Sequence, residues 1–426
     1  MSTVSLASPA APPLRQDAAV IGLVGMAHSV SHFSQLLLAP LFPWLKAEFN
    51  VSYTQLGLLL TVFFVTSTAV QAASGFVVDR FGPRPVLLLG LSLLGLAALG
   101  YANSHSYAML AASAVVAGIG NGVFHPVDYT LLNRKVHKSR LGHAYSAHGI
   151  TGTLGWALAP ALMVPVALAS GWRVAMLCAA AMAFAVLALL WWQRARLALE
   201  TADSLPAKPA AAPGGAKAQT ATPAAEGPFD FLRIPAVWMC LLFFLLYAVV
   251  LSAVQSFAPE AARQLHAVPV HLVAACLSIY MVCSASGMVL GGFLAADAVR
   301  CERVVGIGMG LAALIALSMA YLPITAAMVP VLFGLMGAVS GSAGPSRDML
   351  VKRSTPDNAS GRVFGVVYSG LDIGQAIAPL AFGRLMDLHQ YRSVWVGLAL
   401  VQGLLIISAF NVRRVRRVQR PALMSA

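Results

Sequence analysis

The sequence predicts an all-α membrane protein of twelve transmembrane helices, arranged as two pseudo-symmetric six-helix bundles. Three observations predict it: a shortage of charge, twelve apolar blocks of spanning length, and a repeat at constant offset. Of 426 residues, 59% are apolar and 10% are charged, against about 25% charged in an ordinary soluble domain. So few charges cannot cover a globular surface of this size, whereas lipid can. The formal charge of +13 would suit nucleic acid only as a basic patch interleaved with polar or aromatic readers. Here the basic residues fall in short clusters between apolar blocks, which is the membrane pattern. A lipid bilayer is the expected partner and nucleic acid is not. The five cysteines (Cys178, Cys240, Cys276, Cys283 and Cys301) show no CxxC spacing. Neither a disulfide framework nor a zinc site is read from them, and no metal or cofactor is assigned.

A helix crossing the hydrocarbon core needs about 20 apolar residues. Blocks of that kind run near 19–43, 53–77, 85–103, 107–131, 142–168 and 172–193, then near 232–258, 269–295, 303–322, 325–349, 362–386 and 393–411. The segment before them, Met1 to Ala19, is rich in Ala, Pro and Ser and lacks a cleavable signal pattern, so the first block is read as the first span. Twelve spans put both termini on one side. Placing them in the cytoplasm leaves only Lys46, Arg173, Arg263, Arg384 and Arg392 outside, five of the 28 Lys and Arg, as the positive-inside rule requires. The expected location is the bacterial inner membrane. Thr201 to Gly227 has no apolar periodicity and is broken by Pro and Gly, so it reads as a flexible linker. The expected organisation is a tail at 1–18, a first bundle at 19–193, a linker at 194–231, a second bundle at 232–411 and a basic tail at 412–426.

A shift of 219 residues superposes Pro40 on Pro259, Pro126 on Pro345, Arg134 on Arg353, Gly142 on Gly361, Gly155 on Gly374 and Pro160 on Pro379. A constant offset from the first span to the fifth implies duplicated halves. Six spans per copy keep the halves parallel across the membrane, and such proteins place a substrate site between their repeats. The physical logic is two rigid bundles rocking around one central site.

The loop after the second span reads Gly75-Phe-Val-Val-Asp79-Arg80-Phe-Gly82-Pro-Arg84. Gly75 is expected to let the second span approach a neighbouring helix closely, and Asp79 to cap a facing helix N-terminus. Arg80 and Arg84 hold the loop at the cytoplasmic face. This spacing resembles the loop motif of the major facilitator superfamily, and the resemblance covers nearly the whole chain. It implies that Asp79 engages the cytoplasmic end of the eleventh span near Gly361 and favours the outward-open state. The second-half copy (Gly292 to Asp297) has slipped by one residue and lost the following Arg and Gly.

A narrower resemblance is to the fosmidomycin-resistance-like efflux branch. It rests on Ala27-His28-Ser29, on Ser52-Tyr53-Thr54-Gln55-Leu56-Gly57 and on Val123-Phe124-His125-Pro126. Members of that branch often carry an Asn-Asp pair after the first-span His and a Glu after the His-Pro. This chain has His32-Phe33 and Val127 there, with Asp128 one place later, so the branch's substrate is not carried over. Gly149, Gly152, Gly155 and Pro160 of the fifth span resemble the glycine-proline motif of the superfamily's proton-driven exporters. Small residues three apart also serve plain helix packing.

A charge at the bilayer centre costs at least ~2.5–3.5 kcal/mol, so such side chains face a cavity or a partner. Asp372 lies ten residues after Arg362, about 15 Å along a helix. The hydrocarbon disfavours a charged carboxylate there, which suits a proton carrier; the alternative is a structural carboxylate bonded to another helix. Asp372 and His28 are the expected coupling residues. His28, His32 and Gln35 recur at helical spacing. With Ser252, Gln255, Ser256 and Gln375, they are expected to line a substrate cavity, since the resemblance places spans one and seven there. His125, Asp128 and His148, and the pair Arg347-Asp348, are expected to be structural or gating groups.

No GxxxxGK[ST] or HExxH occurs, so neither ATP-driven transport nor this metalloprotease chemistry is encoded, and the chain is not expected to be an enzyme. The leading expectation is a proton-coupled efflux antiporter of a small, amphipathic or anionic compound, acting as a monomer by alternating access. An uptake symporter for an organic acid has the same fold and the opposite direction. A non-transporting receptor or assembly factor on the same scaffold is the reading of another class.

Overall fold

Helix starts and breaks written into the sequence set the order of elements in the computed structural model, which describes residues 14–199, 235–294, 301–346 and 360–424. The first half opens with α1 (Leu14–Gln35), a short turn at Ala39–Leu41 carrying Pro40, and α2 (Phe42–Phe49). Asn50 takes a left-handed conformation, φ 50°, to end α2, as Asn tolerates better than most residues. Ser52 then starts α3 (Tyr53–Phe81): its Oγ accepts from Gln55 N at 3.1 Å while its own N donates to Gln55 Oε1 at 2.8 Å. This reciprocal capping satisfies two helix-end amides. The Ser-Tyr-Thr-Gln stretch that carries the branch resemblance is therefore also a folding signal.

Gly82, at φ 81°, turns the chain into α4 (Pro83–Ala102), with Pro83 at the first helical position, where a missing N–H costs nothing. Then come α5 (Tyr107–Asn121), α6 (Phe124–Lys135), α7 (Leu141–Ser170) and α8 (Trp172–Trp192). The helices α5 and α6 are one span broken at Gly122–Val123. Pro126 is the cause. It has no N–H for the Gly122 carbonyl, and its ring would crowd that oxygen in a continuous helix. Ser74 Oγ lies 3.5 Å from the freed carbonyl.

The second half repeats this order with α9 (Pro235–Ser256), α10 (Ala258–His266), α11 (Val270–Leu294), α12 (Cys301–Tyr321), α13 (Val329–Ser342), α14 (Ser360–Asp387) and α15 (Tyr391–Met424). Pro259 sits in the first turn of α10, as Pro40 sits in its own short turn. Helix α13 stops before Pro345 as α5 stops before Pro126. Close packing repeats as well: a Cβ on Gly155 would stand 2.3 Å from Ser29 O, and one on Gly374 would stand 2.4 Å from Leu245 O.

Among the described residues, eleven helical stretches are long and apolar enough to cross a membrane. The remaining block of the twelve is α14, more polar because it carries Asp372, Gln375 and Arg384. The protein is thus an all-α, twelve-span membrane protein of two pseudo-symmetric bundles. Large side chains such as Phe76, Leu89, Leu96 and Phe293 stand exposed on the spans, where lipid covers them.

The chain divides into two compact units, Met1–Ala198 with Leu277–Val282, and Leu199–Cys276 with Cys283–Ala426. In the first, Val24, Leu87, Leu91, Phe124, Val127 and Leu131 are fully buried in one core. In the second, Phe244, Val305, Leu405 and Ala409 are. Helix α1 begins at Leu14, within the segment expected as a tail, and its Asp17 is buried against Arg140, with Oδ2 2.6 Å from Nη1. Helix α15 runs to Met424, through the expected tail at 412–426. Most of the expected linker, from residue 200, lies outside the described residues.

Candidate functional site

Three helices of the first unit each bring polar side chains to one buried point. Helix α1 offers His28, His32 and Gln35 at steps of four and three, one face of the helix. Helix α6 offers His125 and Asp128, also three apart. Helix α7 offers His148, and one turn later it has no side chain at all. A Cβ on Gly152 would stand 2.8 Å from His32 Cε1 and 2.9 Å from His28 Nε2. Gly152 and Gly155 therefore let α7 lie directly on the imidazoles and backbone of α1. Gly149 has open space around it and has no part in this approach.

At the centre is Asp128, fully buried. Its Oδ2 lies 3.0 Å from His28 Nδ1 and 3.1 Å from His148 Nε2. The His148 contact has hydrogen-bond geometry, whereas His28 Nδ1 and Asp128 Oδ1 have no hydrogen-bond partner among the described residues. The rings of His28 and His148 stack with centroids 3.6 Å apart and planes 24° from parallel. His125 stands 5.3 Å from His28, edge to face. His32 lies between His28, at 4.3 Å, and Trp156, at 4.2 Å. No Lys or Arg pairs with Asp128 among the described residues. A buried carboxylate without a cation costs several kcal/mol, and the groups beside this one are the imidazoles.

A chain of amides and hydroxyls continues from this point. Trp156 Nε1 donates to Gln35 Oε1 at 3.0 Å, and Gln35 Nε2 donates to Asn121 Oδ1 at 3.3 Å. Asn121 Oδ1 also accepts from Ser31 Oγ at 2.7 Å, and its Nδ2 donates to Ser67 Oγ at 2.9 Å. Asn121 is the last residue of α5, so the break made by Pro126 is tied by one side chain to α1 and α3.

In the second unit, Ser252, Gln255 and Ser256 are buried on α9, and Gln375 is buried on α14. Gln255 Nε2 and Gln375 Oε1 have no hydrogen-bond partner among the described residues. Asp372 is half-buried in the interior of α14. It is bracketed by Gly370 and Gly374, whose Cβ atoms would stand 2.5 Å from Leu241 O and 2.4 Å from Leu245 O of α9. The helix is pressed onto α9 on both sides of the carboxylate.

The loop motif is only partly accounted for. Gly82 is used for its positive φ, and Asp79 and Arg80 are exposed, with Arg80 over the Phe81 ring at 5.6 Å. Arg84 is partly buried. Among the described residues, a Cβ on Gly75 would meet nothing within 4 Å. The expected partner of Asp79 near Gly361 falls where side chains are not described, and Arg347 and Asp348 lie outside the described residues.

The sequence points His28 and His32 toward a substrate cavity and sets His125, Asp128 and His148 apart as gating or structural groups. The structure brings all five together. Asn121 and Asp17 were missed. Asn121 stands at the last position before a proline break, which is a signal the sequence does carry.

Comparison with known proteins places this arrangement in context. A sequence model of the family described as Major Facilitator Superfamily matches residues 24–335 and 262–424. The Fosmidomycin resistance protein of Escherichia coli (strain K12) is 29% identical over 150 residues, 35% of this chain and 36% of that protein. The Probable sulfoacetate transporter SauU of Cupriavidus necator is 24% identical over 156 residues, 37% of this chain and 36% of that protein. The chain thus spans about a third of the length of the curated relatives it matches, 36% in both cases. The fold extends over nearly everything: a bacterial homolog of the human lysosomal transporter Spinster, inward-facing and occupied, superposes with a TM-score of 0.75 at 14% identity. That match covers 95% of this chain and 98% of the other.

Proposed function

This chain belongs to the Major Facilitator Superfamily, and from that premise we propose that it is a proton-coupled exporter of a small organic anion. It works as a monomer in the bacterial inner membrane, with both termini in the cytoplasm, by rocker-switch alternating access. The observation that carries this reading is Asp372. A carboxylate in a span interior costs at least ~2.5–3.5 kcal/mol, and fold packing alone does not ask for one, since the equivalent position of the first half, 219 residues earlier, is Thr153. Gly370 and Gly374 fix the helix around Asp372 against α9, so the carboxylate has a defined place in which to gain and lose a proton. His28, expected to share the coupling, lies in the first unit against Asp128, and coupling is assigned here to Asp372 alone.

The direction rests on likeness to a resistance protein, and the anionic substrate class on likeness to a relative named for sulfoacetate. The test is reconstitution of the purified chain in liposomes, with internal pH followed as pools of small organic anions are added. Proton movement driven by one pool and abolished by Asp372→Asn supports the proposal. Full proton-coupled flux in that variant removes Asp372 from the role. Proton-driven accumulation instead of extrusion identifies an uptake symporter, and binding without flux identifies a receptor.

A further inference from the structure

We propose that His28, His125, His148 and Asp128 form a binding site for a divalent transition-metal cation of borderline softness, with Zn2+ as the type. The site stands on the side-chain geometry of the first unit and is independent of the coupling assigned to Asp372. One ring nitrogen from each of the three histidines lies within 4.8 Å of the other two. Asp128 Oδ2 adds a fourth donor, 3.0 Å from His28 Nδ1 and 3.1 Å from His148 Nε2. Zinc holds nitrogen and carboxylate ligands at about 2.0–2.2 Å in a tetrahedron, which sets its donor atoms about 3.3–3.5 Å apart. Two edges of that tetrahedron are nearly in place, and binding would require the half-buried His125 ring to move toward the other donors.

The donor set is the chemically fitting one. Imidazole suits zinc, cobalt and nickel, and a single carboxylate lowers the net charge that the buried ion must carry. The site also has a polar atom with nothing else to do: His28 is 2% exposed, and its Nδ1 faces the carboxylate without a hydrogen bond. Among the described residues no Lys or Arg pairs with Asp128, so a bound cation would meet a carboxylate that has none.

Duplication supplies an internal control. The positions 219 residues on from His28, His125, Asp128 and His148 are Tyr247, Gly344, Arg347 and Val367. None of these ligands recurs at the equivalent positions of the second half, which has a basic residue where the first half has its carboxylate. Helix packing alone therefore does not call for the four. Access is from the His125 side, where the ring stacks on the exposed Tyr129 at 6.2 Å.

The test uses the full chain in detergent, with any affinity tag removed. Equilibrium dialysis against Zn2+ with elemental analysis gives the stoichiometry, and Co2+ substitution gives the coordination from its visible absorption. One equivalent of Zn2+ and the intense spectrum of tetrahedral Co2+ are expected. His148→Ala and His125→Ala should each weaken binding by at least ~100-fold, beyond the ~10–100-fold typical of changes outside the ligand shell. His105→Ala, on an exposed loop, should change nothing. Because His148 is buried and its variant could loosen the bundle, His125→Ala at the half-buried edge is the deciding variant, with thermal unfolding of the metal-free protein checked for each. Substoichiometric Zn2+ in the unaltered chain, an octahedral Co2+ spectrum, or binding that survives His125→Ala in a folded protein would overturn the site. Those outcomes leave the cluster as hydrogen bonding between imidazoles and carboxylate alone.

Discussion

His28 and His148 stack face to face with ring centroids 3.6 Å apart, and both reach the same oxygen of Asp128. Two helices can come that close only where one of them lacks a side chain. A Cβ on Gly152 would fall 2.9 Å from His28 Nε2, and one on Gly155 would fall 2.3 Å from the backbone oxygen of Ser29. A ring can tilt by a few tenths of an ångström, but a helix backbone cannot. Gly155→Ala should therefore be the more damaging change, destabilising by about 1–3 kcal/mol as overpacking does, and Gly152→Ala should displace the histidines at smaller cost. Gly149→Ala meets open space and should be neutral or stabilising by up to about 1 kcal/mol. Thermal unfolding of the three variants in detergent checks the order; equal losses would sink it.

Burial decides between two ion pairs at the ends of the first unit. Asp17 is 1% exposed and its carboxylate is 2.6 Å from Arg140 Nη1, with His137 N adding a hydrogen bond at 3.3 Å. Removing Arg140 strands a buried charge, which costs about 3–5 kcal/mol for a fully buried pair and somewhat less here because the Arg is partly exposed. The Glu48–Arg173 pair is exposed by about a third on each side, where such pairs contribute about 0–1 kcal/mol. Arg140→Ala should thus lower the unfolding midpoint clearly, and Asp17→Asn less, since it removes the charge that needs pairing. Glu48→Gln should lower it slightly, because Glu48 also accepts from Trp172 Nε1.

Asn121 is the side chain by which the broken span holds its neighbours. It accepts from Ser31 and Gln35 and donates to Ser67. Asn121→Asp removes the donor and places a charge in a buried site, whereas Asn121→Ala takes their partner from Ser31 Oγ, Gln35 Nε2 and Ser67 Oγ. Each group so stranded costs about 1–3 kcal/mol. Both variants should be destabilised, the Asp form more at neutral pH than in acid, where its carboxyl is protonated and can donate again. Unfolding measured across pH checks this, and an acid-insensitive Asn121→Asp would count against the network.

Much of this was readable in the sequence, for reasons that are local. Ser52 and Gln55 start a helix by their spacing, Gly82-Pro83 turns one, and Pro126 and Pro345 break equivalent spans because a proline cannot donate. The 219-residue offset then predicts the second half from the first. What could not be read is rotation about the helix axis. His28, Asp128 and His148 each looked polar and deep, but whether they face one another depends on where Gly152 and Gly155 let α7 settle, and that is a tertiary fact.

Pro126→Ala tests whether the break in the fourth span is there to aim the cluster. With alanine the Gly122 carbonyl regains a donor, and the ring that kept α5 and α6 apart is gone. Continuous helix through Gly122–Val123 would turn α6 about its axis relative to α1, carrying His125 and Asp128 off His28 while leaving Asn121 on its partners. Helix propensity favours the alanine by about 3 kcal/mol at an interior position, and the lost packing around the break opposes it, so stability should change little. Cation binding at the cluster should fall by at least about tenfold, on the order of a change in outer-shell geometry. Zn2+ dialysis with the folded Pro126→Ala chain makes the measurement. Undiminished binding would mean that the break serves the packing of α5 against α3, where Gly118 and Gly122 already sit against Phe63 O and Ser67 O, and does not orient the site.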